Sequence, residues 1–332
     1  MPRIAAGLLR LAAFFATAPG AVALAVFSTA VFASMHAIVR HVSGELHPFE
    51  IAFFRSVFGL LALLPLIFRY GPGAFVSAQP RLQLLRGAIS GTSLMCWFYG
   101  LSVVPLAEAT ALSFTNAIFA SLGAVIFLRE RMGIRRWSAV VVGLAGVLII
   151  LRPGEAAVSV GSLIVLVSAA CWGGGTIIIK RLSRTDSAVT IALWMATMMI
   201  VATSVPAWLV WIRPTPGQLL WLVLIGALAS MGTLAYTQAL KLAEATLIIP
   251  TDFTRMVWAS AIGFLAFGEI PDSWTWTGGL LIIGSTIYIA LREVRLNRRR
   301  LREQALQNQI CDDSDPQATK NGENVNDRQI VR

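Results

Sequence analysis

In a chain of 332 residues, 56% are hydrophobic and only 13% are charged. A soluble domain carries roughly 25% charged residues, so a water-soluble globule is excluded. The net charge of +10 does not point to nucleic acid, because the basic residues cluster between apolar runs and at the C-terminal end, the orientation pattern of a membrane protein.

Residues 1–20 look like a signal peptide, but their apolar character continues through Val39. They are read as an amphipathic cytoplasmic lead-in. Ten apolar runs follow, at 21–39, 49–68, 83–104, 106–128, 137–151, 160–179, 187–211, 218–239, 245–267 and 274–291. Crossing a bilayer takes about 20 helical residues. The fifth run is shorter, with Arg135 and Arg136 placed to snorkel. Arg69, Arg81 and Arg86 follow span two, Arg129, Arg131, Arg135 and Arg136 follow span four, and Lys180, Arg181 and Arg184 follow span six. "REVRLNRRRLR" follows span ten, whereas Arg40, Arg152 and Arg213 stand singly in the alternate loops. Cytoplasmic loops carry the excess of Lys and Arg, so both termini are expected in the cytoplasm. Residues 293–332 form a basic, polar tail without apolar periodicity, expected to be disordered.

The chain spells Leu-Ala-Glu-Ala-Thr twice, at 106–110 and 242–246, 136 residues apart. At the same offset Thr115 pairs with Thr251 and Asn116 with Asp252. Further on, Glu130 pairs with Glu269 and Trp137 with Trp276. Five landmarks in order indicate a duplication: a first repeat over 21–153 and a second over 160–292. An odd number of spans separates the copies, so the second runs upside down, as in many secondary transporters. Glu108 is then expected at the periplasmic mouth and Glu244 at the cytoplasmic mouth, each favoured by a helix dipole.

The ten spans, the "FLRE…W" and "FGEIPD" ends of spans four and nine, and "LHPFEIAFFRSVFGLLALLPLIFRYG" near the start resemble the drug/metabolite transporter superfamily, EamA-type branch. The resemblance covers about residues 21–292. It implies an all-α integral membrane fold of two inverted five-helix repeats, and a central cavity lined mainly by spans one, three, four, six, eight and nine. It is similar above all to bacterial carriers of S-adenosylmethionine, riboflavin or amino-acid-derived metabolites. The resemblance therefore implies a small-molecule substrate and a place in the bacterial inner membrane.

Polar groups at mid-bilayer face a cavity or a partner helix. Thr115 and Asn116 lie about 14 Å into span four, near the middle of a roughly 30 Å core, and Thr251 and Asp252 match them from the other side. The four form either a ligand site or packing hydrogen bonds between helices. Asp252 and Arg255, three residues apart, share a helical face. They hold the helix in place, bind a zwitterionic or anionic substrate, or switch partners during transport. Pro250 removes a backbone donor beside them. His36 in span one is a candidate for substrate or proton contact, and Trp97, Trp172 and Tyr236 are candidates for stacking on a flat or cationic ligand. Arg55, near the start of span two, is expected to reach outward. Gly87 and Gly91, four apart, suit a close helix crossing.

Cys96, Cys171 and Cys311 share no metal or redox spacing. "CWGGGTIIIK" lacks the spacing of a phosphate loop. No cofactor and no metal ligand set is expected, and without a nucleotide-binding segment the energy must come from a gradient or from exchange. The competing class is a membrane-embedded enzyme acting on a lipid or polyprenyl substrate. That chemistry wants acids and histidines clustered at an interface, and only His41 and His47 near Glu45 and Glu50 come close. No feature fixes an oligomeric state, and a monomer suffices.

Overall fold

A computed structural model describes residues 18–128, 133–152, 159–242, 248–289 and 291. The lead-in over 1–17, Glu130 and the basic residues beside it, Glu244 and the C-terminal tail lie outside the described residues. In chain order the helices are α1 (Ala18–Val42), α2 (Pro48–Tyr70), α3 (Pro80–Val103), α4 (Leu106–Ser113), α5 (Asn116–Leu128) and α6 (Ile134–Leu151). Then come α7 (Val160–Leu182), α8 (Ala188–Leu209), α9 (Pro216–Leu242), α10 (Thr254–Phe267) and α11 (273–289). Short 3₁₀ turns cover Pro72–Phe75 and Ile249–Phe253. The described residues contain no strand. In hydrocarbon every backbone N–H and C=O must find its partner within the segment, and a helix supplies this.

Five helical stretches are long and apolar enough to cross a membrane by themselves: Pro19–Val42, Leu106–Phe127, Val160–Leu182, Val189–Leu209 and Pro216–Leu240. Trp137–Leu151 is apolar but shorter. The other expected spans are helical without meeting the same test. Two physical reasons are visible. α3 opens on Arg81, Gln83 and Arg86, and α10 is cut to 14 residues by the turn before it.

The duplication is visible in backbone hydrogen bonds. After α1, Ser43 N–H donates to Val39 O, Gly44 N–H to His41 O, and Leu46 N–H to Val42 O. After α7, Ser183 N–H donates to Ile179 O, Arg184 N–H to Arg181 O, and Asp186 N–H to Leu182 O. Every partner is displaced by 140 residues. Each copy's turn also meets the start of a long helix in the other copy. Asp186 accepts from Ala78 N–H at 3.0 Å and Gln83 Nε2 at 2.8 Å, and from the Ser77 hydroxyl, at the entry to α3. Glu45 accepts from Gln218 Nε2 at 2.8 Å at the entry to α9, while Glu50 takes the Ile212 N–H at 3.4 Å.

Small residues set the closest crossings. A Cβ on Gly87 or Gly91 would come within 2.1 Å of Met198 and 2.4 Å of Ala202, so α3 lies against α8 as that spacing predicts. Gly146 and Gly278 meet backbone to backbone, binding α6 to α11: a Cβ on either would approach the other's carbonyl to 2.7 or 2.5 Å.

Span four, expected as one helix over 106–128, is two. The break falls at Phe114–Thr115, where N–H groups bond three residues back instead of four: Phe114 to Ala111 O and Thr115 to Leu112 O. The Thr115 hydroxyl donates to Leu112 O at 2.6 Å. Hydroxyls that bond back to the preceding turn bend helices. In the second copy the Thr251 hydroxyl donates to Ile248 O at 2.7 Å, and Pro250 lies inside the 3₁₀ turn Ile249–Phe253.

Candidate functional site

The two breaks put irregular backbone inside the bundle, where transporters build their sites. Behind the second break, Arg255 Nη2 lies 3.4 Å from Asp252 Oδ2. The spacing of three brings them together as expected. The guanidinium also sits 5.2 Å above the Phe114 ring, a cation–π contact that joins the two breaks. Phe114 in turn meets Phe253 edge to face at 4.9 Å.

His36 on α1 is buried, and its Nε2 accepts from Trp97 Nε1 on α3 at 3.2 Å. Arg255 lies within electrostatic reach of the His36 ring. Tyr236 on α9 is within reach of both Asp252 and Arg255. It packs against Ala21, Ala25, Ala239 and Ile248. His36, Trp97, Tyr236, Asp252 and Arg255 thus converge from four helices and the turn between α9 and α10.

Four expected members behave differently. Thr115 and Thr251 are buried and spend their hydroxyls on their own helices. Asn116 starts α5 with its backbone carbonyl against Gly173, where a Cβ would come within 2.6 Å. Trp172 is 57% exposed, and among the described residues no ring contact joins it to the group.

Arg55, expected to reach outward, is enclosed instead. Its Nε is sealed from solvent and has no hydrogen-bond partner, and it too lies within electrostatic reach of His36. Periodicity could have warned of this. Arg55 follows Ile51 and Ala52 at helical spacing, and both are fully buried.

A second cluster lies at one end of the bundle. Arg40, at the end of α1, pairs with Glu269 and donates to Val104 O, with its guanidinium 5.2 Å over the Phe267 ring. Glu269 Oε2 accepts from Leu106 N–H at 2.9 Å, capping α4. Arg152 pairs with Asp272, and Asp272 Oδ1 caps α11 at Thr275 N–H, 2.8 Å away. Glu108 accepts from Ser162 at 2.8 Å. Both ion pairs join the first repeat to the second. A cavity of about 240 Å³ lies among them, with Glu108, Glu269 and Asp272 in its wall. Among the described residues, no group of three or more acid, His or Cys side chains is placed to hold a metal ion.

The sequence signature of the EamA-like transporter family matches twice, over 19–152 and 159–291. The S-adenosylmethionine uptake transporter of Rickettsia bellii is 28% identical over 79% of this chain and 90% of its own length. The riboflavin transporter of Rhizobium johnstonii is 31% identical over 75% and 82%. The pseudopaline exporter CntI of Pseudomonas aeruginosa is 30% identical over 81% and 95%. One solved crystal structure superposes with a TM-score of 0.56 at 18% identity, covering 84% of this chain and 99% of the solved one, which speaks for the fold alone. With a family signature over both halves of an all-helical bundle, this multi-pass membrane protein belongs to the EamA-like transporter family of the drug/metabolite transporter superfamily.

Proposed function

We propose that the protein is a secondary transporter of a small organic metabolite in the bacterial inner membrane, with both termini in the cytoplasm. The substrate is S-adenosylmethionine-like, riboflavin-like or amino-acid-like, by likeness to the relatives' cargo. The site is the layer around the two breaks: His36, Trp97, Tyr236, Asp252 and Arg255, with Thr115, Asn116 and Thr251 shaping the backbone and Trp172 at its margin. The observation that carries this reading is the Arg255 guanidinium, held by Asp252 from one repeat and by the Phe114 face from the other. A ligand that alters this contact acts on both repeats together, as rocking about a midplane site requires. The paired end at Arg40–Glu269 and Arg152–Asp272 is then the closed side of the cycle, and its ion pairs must part when that side opens.

The test is uptake into proteoliposomes with labelled S-adenosylmethionine, riboflavin and amino acids, followed by chemical analysis of the lumen. Accumulation of an unchanged compound supports transport. Recovery only of a converted product overturns it in favour of an enzyme.

A further inference from the structure

We propose that Arg55, His36 and Arg255 together form an anion pocket that holds the carboxylate of the substrate. This rests on the transport reading above and narrows its substrate class to carboxylate-bearing metabolites.

The argument begins with hydrogen-bond inventory. Because Trp97 donates to His36 Nε2, that nitrogen is the acceptor of the imidazole. The proton of the neutral ring therefore sits on Nδ1. His36 Nδ1, Arg55 Nε and Arg255 Nε are all buried without a partner. All three are donors. Arg86 Nε and Arg152 Nε also lack partners, but those guanidiniums are engaged through their other nitrogens; the three donors around His36 could be satisfied together by one group with several lone pairs. A carboxylate offers two oxygens and about four acceptor positions.

Position agrees with this. His36 lies six residues before the end of α1, and Arg55 seven residues after the start of α2. At 1.5 Å per residue, both are about 10 Å in from the same end of the bundle. Trp97 lies six residues before the end of α3, at the same depth. Both Arg55 and Arg255 are within electrostatic reach of the His36 ring. Arg55 is partly buried, with its Nε shut off from solvent. Phe58, one turn beyond Arg55, packs where a Cβ on Gly226 would be, while Phe32, one turn before His36, packs at Gly232. α9 thus supports the helices that carry both residues.

Charge agrees as well. Asp252 is matched by Arg255. The acid nearest in sequence to Arg55, Glu50, faces Ile212 N–H instead. Among the described residues Arg55 has no ion pair. A guanidinium left in low dielectric without a counter-charge is costly, and a substrate anion supplies one. Trp97, edge to face with His36 and only partly buried, offers an apolar ring for the rest of the molecule.

The test uses the full-length chain in lipid nanodiscs and three probes: S-adenosylmethionine, its decarboxylated analogue and riboflavin, which has no carboxylate. The expected result is that wild type prefers S-adenosylmethionine over the decarboxylated analogue by roughly 10- to 100-fold, the range for charge-assisted hydrogen bonds. Arg55→Gln abolishes the preference and Arg55→Lys keeps part of it. A protein merely destabilised by Arg55→Gln would bind all probes less well at unchanged ratio, and that outcome overturns the pocket. So does equal binding of parent and analogue by wild type, or no binding of S-adenosylmethionine at all. Uptake of S-adenosylmethionine left unchanged by Arg55→Gln leaves the transport reading standing while the anion pocket falls. Carboxylate-selective binding without uptake in liposomes does the reverse.

Discussion

Thr115 and Thr251 hold the same place in the two repeats, and each hydroxyl closes on the carbonyl three residues back, at 2.6 and 2.7 Å. The side chains around these matching breaks have diverged. In the first copy the following positions are Asn116 and, three further on, Phe119; in the second they are Asp252 and Arg255. The first break is made by hydrogen bonding alone, and the second also has Pro250. The comparison separates two jobs that a duplicated segment can do. Breaking the helix is shared by both copies, while carrying charge is confined to one. A neutral first break presents an aromatic face to the charge of the second, and this arises only when the copies differ.

The largest expected effect tests the charged copy. Asp252→Asn and Arg255→Gln each reduce transport at least tenfold, about 1.4 kcal/mol of barrier, because each leaves its partner uncompensated in low dielectric. Membrane abundance is measured alongside, since loss of fold would imitate loss of function. If the pair serves structure only, the double neutral variant recovers both abundance and transport. If it serves the substrate, abundance recovers and transport stays low.

The next effect concerns the end where the copies are joined by ion pairs. Glu269→Gln loses the charge that Arg40 meets but keeps an acceptor for Leu106 N–H. The expected loss is on the order of 1–3 kcal/mol, typical of a hydrogen bond to a charged group. It is read as a lower melting temperature and as faster labelling of a cysteine placed at Ser260 by an impermeant thiol reagent. Unchanged labelling would remove this cluster as the closure.

A smaller effect distinguishes the breaks themselves. Thr115→Val and Thr251→Val each lose one hydroxyl bond, about 0.5–1.5 kcal/mol, and are expected to lower thermal stability equally. Transport falls further for Thr251→Val, which sits beside Asp252. Equal transport losses would show that both breaks contribute the same chemistry.

The smallest effect lies at the matching turns, where Leu46 in one copy stands for Asp186 in the other. Burial tends to raise the Asp186 carboxyl. The hydrogen bonds from Ser77, Gln83, Ala78 N–H and Thr185 outweigh it and hold the group below the ordinary aspartate range. Its folded value is thus below its unfolded value. Its stabilisation is complete above the unfolded value and is lost as pH falls through the folded one. The melting temperature of Asp186→Asn should lie slightly below wild type at neutral pH, with the gap closing under acid conditions.

Local signals explain what the sequence disclosed. Long apolar runs located the helices, the repeated pentapeptide located the duplication, and a spacing of three placed Asp252 beside Arg255. Pro250 marked one break. The other, at Phe114–Thr115, has no proline or glycine, and a threonine bonding back to its own helix looks the same in sequence as one facing a neighbour. The pairs Arg40–Glu269 and Arg152–Asp272 join residues far apart in the chain, beyond any periodicity. A cation near a helix end, such as Arg55, reads in sequence as free to reach water, and only the packing of α2 determines which way it turns. Trp172 has the residue type of a stacking partner, but residue type says nothing of the face it occupies.

The turn contacts have a bearing on ancestry. Asp186 of the second copy holds the entry to α3 of the first, and Glu45 of the first holds the entry to α9 of the second. Each half completes a helix start that is not its own. Two identical unfused halves lying antiparallel would make this same reciprocal exchange, in which residue i meets j and j meets i. The present chain thus joins within one polypeptide the contacts that two such halves would make between them. In one chain the two sides of each contact can differ, and Leu46 at the position equivalent to Asp186 is one such difference.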